Sequence, residues 1–97
     1  MIALTASACY PHLMNKAHHR TLVAIFSQPF PTGLEWRRTE ALFVVLGAQT
    51  IEWSGSRVRF VLNDIVATFH RPHPAKEAKP YQVRDARIFL ENAGVKP

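Results

Sequence analysis

Between Gly55 and Pro74 apolar and polar residues alternate with period two almost without interruption. Val58, Phe60 and Leu62 share one parity, and Arg57, Arg59 and Val61 the other. After Asn63-Asp64 the alternation resumes, with Ile65, Ala67 and Phe69 set against Val66, Thr68 and His70. Strict alternation of this length marks half-buried strands, because successive side chains point to opposite faces. Asn-Asp between the two runs suits a two-residue hairpin turn, since both residues tolerate positive φ. Such a turn fixes the register. Leu62 then faces Ile65, Phe60 faces Ala67 and Val58 faces Phe69 on an apolar face. On the opposite face Val61 meets Val66, Arg59 meets Thr68 and Arg57 meets His70. A slip of one residue would carry the arginines into the core, so the pairing is firmly specified.

The same pattern organises the rest of the chain. Gln49 to Ser54 predicts a first strand, joined through a tight Gly55-Ser56 turn. That turn pairs Trp53 with Val58 and Ile51 with Phe60 on the apolar face, and Glu52 with Arg59 on the polar one. Upstream, Ala17, Leu22, Ile25 and Phe26 are spaced for a helix over 16–28 with one buried stripe. Pro29 to Gly33 breaks it. Thr32 followed by Glu35 predicts a capping box that opens a second helix, from about Leu34 to Leu46 and ended by Gly47. Downstream, Pro80 opens a last helix. Val83, Ala86, Phe89, Leu90 and Ala93 line its inner side, Arg84, Asp85, Arg87 and Glu91 its outer side, and Gly94 stops it. The predicted fold is α+β in the order helix-helix-β-β-β-helix. It is a three-stranded antiparallel meander with helices on its apolar face and its basic face open.

Residues 1–15 have no periodicity and predict a flexible N-terminal tail; residues 16–97 form one domain. With 97 residues the chain can bury one small core. Twelve Lys and Arg against seven Asp and Glu leave a net charge of +5, which points to a polyanionic partner, nucleic acid first. The single Cys9 excludes an internal disulfide framework and a thiolate zinc site, and it fits a reducing, cytoplasmic setting. No apolar run reaches a membrane span, and the opening Met1–Cys9 stretch lacks the basic leading segment of a secretory signal. His18 and His19 are adjacent, so on a helix they point about 100° apart and chelate poorly. No metal and no cofactor is predicted.

The order and spacing of Gly55-Ser56, Phe60, Pro72-His73-Pro74, Phe89-Leu90 and Ala93-Gly94-Val95 resemble the HicA toxins of type II toxin–antitoxin systems. The likeness runs from about Glu35 to Val95. It implies a fold like the double-stranded RNA-binding domain, cleavage of mRNA, and neutralisation by a HicB-like antitoxin protein. The family's catalytic histidine stands directly after the Gly-Ser turn or one residue further on. Here Arg57 and Val58 occupy those positions.

The predicted register supplies a substitute, because His70 stands opposite Arg57 on the neighbouring strand. Cleavage by the RNA 2′-hydroxyl needs a base for its proton, an acid for the departing 5′ oxygen and positive charge at the phosphate. An imidazole with a reference pKa of about 6.5 suits the first two roles. Arg57 and Arg59 suit the third, since a guanidinium binds a phosphate bidentately. The catalytic candidates are therefore His70 and Arg57. A strand-end histidine bonded to a phosphate or a loop carbonyl is the plainer role for His70. Candidate RNA contacts are Arg59, Ser56, His73 between its two prolines, Lys76, Lys79 and Arg84, with Arg87 close by. A solvated face, with Arg59 tied to Glu52, is the plainer reading of these charges. A non-catalytic RNA-binding module and an antitoxin-docking subunit remain as rival functions.

Overall fold

The computed structural model describes residues 15–97, and the predicted tail lies outside them except for Asn15. Asn15 is the cap of the first helix, its Oδ1 accepting from the His18 amide at 2.9 Å. The elements are α1 (Lys16–Ile25), α2 (Trp36–Val45), β1 (Gln49–Glu52), β2 (Arg57–Leu62), β3 (Ile65–His70) and α3 (Pro80–Asn92). The three strands form one antiparallel sheet in the order β1-β2-β3. The α+β class and the helix-helix-β-β-β-helix order are as the sequence predicts.

The β2–β3 hairpin has the predicted register at every pair, from Leu62 opposite Ile65 to Arg57 opposite His70. Its turn residues Asn63 and Asp64 have φ of 51° and 67°, the left-handed conformation that a tight two-residue loop demands. Asn63 also ties the turn to the end of α3, its Nδ2 donating to the Ala93 carbonyl at 2.7 Å.

The β1–β2 register departs from expectation by one residue. Ile51 lies opposite Arg59 and Glu52 opposite Val58. The Trp53 amide donates to the Arg57 carbonyl, and the Arg57 amide to the Ser54 carbonyl. The connection is thus three residues, Ser54-Gly55-Ser56, with Gly55 at φ 66°. The shift turns Ile51 and Trp53 onto the open face. It turns Thr50 and Glu52 toward the helices.

The helix boundaries also shift. α1 ends three residues early, at Ile25. α2 begins at Trp36, and no side chain caps it, so the Thr32–Glu35 capping box is absent. The chain instead arrives extended. Leu34 accepts from the Ala78 amide at 2.7 Å, and the Trp36 amide donates to the Lys76 carbonyl at 2.9 Å. The loop before α3 thereby satisfies the Trp36 amide, one of those at the start of α2 that have no partner within the helix.

The core lies between the helices and the inner face of β2 and β3. Val58, Phe60, Leu62 and Phe69 from the sheet meet Trp36, Leu42 and Phe43 from α2 and Val83, Ala86, Phe89 and Leu90 from α3, all buried. Phe43 is the hub, with ring centroids 4.9 Å from Phe60 and 5.0 Å from Phe89, both edge-on. Such pairs add about 0.5–1.5 kcal/mol beyond the area they bury. α1 belongs to the same core through buried Leu22 and Ile25. Arg87, expected on the solvent side of α3, instead fastens the end of α1. It donates to the Ile25 and Ser27 carbonyls at 3.1 and 2.7 Å, and its guanidinium lies 4.3 Å from the Phe30 ring centre.

Candidate functional site

Each strand sends every second side chain to the uncovered face, and the registers set them in three lateral rows. The first row is Trp53, Arg57 and His70; the second is Ile51, Arg59 and Thr68; the third is Gln49, Val61 and Val66. Arg57, Arg59 and His70 are all exposed. The face is therefore mixed rather than uniformly basic. Ile51 is 38% and Val66 56% exposed, beside the partly exposed Val61 and Trp53.

No carboxylate stands in these rows. The register explains why. Glu52, expected beside Arg59, faces the other way and accepts from Arg71 Nη1 at 2.9 Å. The same guanidinium reaches Glu40 of α2, with Nη2 at 2.9 Å from Oε2. Arg71 accordingly holds the Glu52 carboxyl below the usual carboxylate range, by hydrogen bond and then by charge. Its own guanidinium is held more firmly protonated, Glu52 contributing most. Arg59, freed from Glu52, lies over the indole of Trp53 at 4.7 Å. Among the described residues neither Arg57 nor Arg59 forms an ion pair. Two cations and an imidazole thus stand unneutralised on one end of the face.

The end of β3 is held from behind. Gln82, buried in α3, donates from Nε2 to the His70 carbonyl at 2.7 Å. Its Oε1 accepts from the Lys79 amide at 2.9 Å. The Arg71 amide donates to the Ser56 carbonyl at 2.8 Å, which ties the strand end to the β1–β2 loop. His70 is thus fixed through its backbone on both flanks while its side chain stays in solvent.

The remaining predicted contacts do not share these rows. Ser56 sits in the exposed loop beside Arg57. His73, Lys76 and Lys79 lie on the exposed segment between β3 and α3, and Arg84 on the outward side of α3 beside Asp85 at 3.4 Å. Lys76 and Lys79 are also structural through their backbones, as partners of Trp36 and Gln82. Among the described residues no three His, Cys, Asp or Glu gather as a metal site would. No helix there is long and apolar enough to cross a membrane.

Two contributors escape sequence reading. Trp53 is apolar and was expected in the core; the three-residue loop brings it out. Gln82 carries no periodic signal, and a buried glutamine declares its partners only in three dimensions.

The class of protein is set first by the architecture, a small α+β domain whose three-stranded antiparallel sheet is covered by helices on one face and open on the other, with no carboxylate in the rows of the open face. Comparison with known families is more specific: the model of the HicA toxin of bacterial toxin–antitoxin systems matches residues 36–95. The chain belongs to the HicA toxin family, and membership implies an antitoxin partner. The match begins at the first residue of α2, so α1 precedes it although it is built into the core. No curated protein and no solved structure matches the chain significantly.

Proposed function

We propose that this toxin is a metal-independent endoribonuclease acting on mRNA, with His70 and Arg57 as its catalytic pair. The observation that carries the reading is the Arg57–His70 pairing on the open face of a HicA-family fold. Opposed strand residues have Cβ atoms about 4.5–5.5 Å apart, so one phosphodiester reaches both side chains. The neutral imidazole of His70 takes the proton of a 2′-hydroxyl, whose oxygen bonds to the adjacent phosphorus. The bond from phosphorus to the 5′ oxygen breaks, and that oxygen takes up a proton from the imidazolium or from water. Arg57 meets the phosphate oxygens as charge builds on them, with Arg59 beside it. The products are a 2′,3′-cyclic phosphate and a 5′-hydroxyl. Ser56, His73, Lys76, Lys79 and Arg84 extend the contact along the backbone of the RNA. A HicB-like antitoxin silences the toxin by covering the open face, with acidic groups toward Arg57 and Arg59 and apolar ones toward Ile51, Val61 and Val66.

A second reading is favoured by Arg57 itself, which stands where the family's histidine is expected. In that reading the chain binds RNA, or docks its antitoxin, without cutting. One assay separates them. The purified toxin is incubated with a single-stranded transcript in EDTA, and the product ends are mapped. The first reading predicts cleavage to 2′,3′-cyclic phosphate ends, abolished by the antitoxin and reduced by Arg57→Ala. Salt-sensitive binding without cleavage supports the module, and no RNA affinity at low salt supports the docking subunit.

A further inference from the structure

Trp53 stands outside every role assigned above, yet it occupies the first row of the open face with Arg57 and His70. Adjacent strands are about 4.8 Å apart, so the three side chains start about 5 Å apart, indole to guanidinium to imidazole. One face of the indole carries the guanidinium of Arg59 at 4.7 Å. The ring is only partly buried, unlike Trp36, which is 5% exposed in the core. Burial therefore accounts for one tryptophan and not for the other.

We infer that Trp53 and Arg59 form a stacking platform for a nucleobase of single-stranded RNA, next to the phosphate that Arg57 meets. This rests on the RNA-directed reading of the face and adds a base-binding subsite to it. Every nucleobase has a flat π face, and both indole and guanidinium planes stack on it. Arg59 already lies over the indole, so the planar surface is assembled before RNA arrives and little side-chain freedom remains to be lost. No carboxylate in the rows competes for Arg59. A base seated there lies one strand spacing from Arg57 and two from His70. In RNA the ribose lies between its base and its phosphates, so a base seated on Trp53 belongs to the nucleotide on the 3′ side of the phosphate that Arg57 meets, and the 2′-hydroxyl that His70 serves belongs to the nucleotide on the 5′ side.

The test uses the full chain and two single-stranded probes of equal length: a 2′-O-methyl oligonucleotide, which cannot be cut, and an abasic phosphodiester. Binding is read by anisotropy of a terminal dye and by tryptophan emission, with buried Trp36 as the internal reference. The base-bearing probe is expected to quench emission, and the abasic probe to bind without quenching. Trp53→Ala should weaken the base-bearing probe about 10-fold or more and leave the abasic probe unchanged. Arg59→Lys keeps the charge and loses the plane, so it should weaken the base-bearing probe more than the abasic one. It also serves as the second variant if Trp53→Ala fails to fold. Binding of both probes that is indifferent to both substitutions, or weakened equally for both probes, overturns the platform and leaves the RNA reading standing. Absence of any oligonucleotide binding by the unmodified protein at low salt overturns both.

Discussion

The two faces of β2 are made by neighbouring residues, yet they obey different rules. Val58 and Phe60 have no measurable exposure and Leu62 has 4%. Arg57 and Arg59, each one residue away, stand in solvent without ion pairs among the described residues. The covered face is constrained by packing, where a lost methylene leaves a cavity. The open face is constrained only by which charges the hairpin sets side by side. Stability and function are thereby divided between alternate residues of one strand, and each can be perturbed while the other is watched.

The largest effect belongs to the covered face. Phe60→Ala removes a ring packed edge-on against Phe43, and it should cost about 3–5 kcal/mol in denaturant unfolding. Arg57→Ala, three residues away, should change stability by less than about 0.5 kcal/mol. Comparable losses for the two would dissolve the distinction between the faces.

Arg87 tests how far the covered side extends. Its bonds to the Ile25 and Ser27 carbonyls and its place over Phe30 join α1 to α3. Arg87→Ala should cost about 2 kcal/mol and speed amide exchange in α1 ahead of the sheet. Unaltered exchange would mean that α1 is held by Leu22 and Ile25 alone.

The smallest effect is electrostatic. Arg71 lowers the pKa of Glu52 in the folded state. That contribution is therefore complete above the unfolded-state value of about 4.3 and is lost as pH falls through the lower folded one. Glu52→Gln should remove this small contribution above that range, leave stability at lower pH unchanged, and so flatten the acid part of the profile. An unchanged acid limb would detach Glu52 from Arg71.

The two hairpins teach what sequence can and cannot convey. Asn63-Asp64 is flanked by two strands that are each buried on one parity, so turn chemistry and hydrophobic pattern agree, and the Arg57–His70 pairing was legible from the residues alone. β1 offers no such agreement. All four of its residues are exposed, because the helices pack over β2 and β3 and leave β1 at the margin. With neither parity buried, nothing in Gln49 to Glu52 specifies a face, and Ser-Gly-Ser accommodates a three-residue loop as readily as a shorter one. Hydrophobicity therefore placed Trp53 in the core, and the partnership of Glu52 was assigned to Arg59 rather than Arg71. The Thr32–Glu35 motif misled for a related reason. A capping pattern is local, whereas the first amide of α2, that of Trp36, is met by the carbonyl of Lys76 forty residues downstream in sequence. Arg87 shows the same limit, since its place on the outer arc of a helical wheel said nothing of the α1 carbonyls waiting there.

The most direct test of the account is the single-turnover cleavage rate of His70→Ala against the unmodified toxin on one transcript in EDTA, with RNA affinity measured alongside. The side chain is exposed and its backbone is held by Gln82, so the variant should fold and bind as before. Its rate should fall by about 10²–10⁴-fold, the usual contribution of a positioned acid–base group. A variant that cuts at the rate of the unmodified toxin would contradict the assignment of the open face as the place where RNA is cleaved by His70.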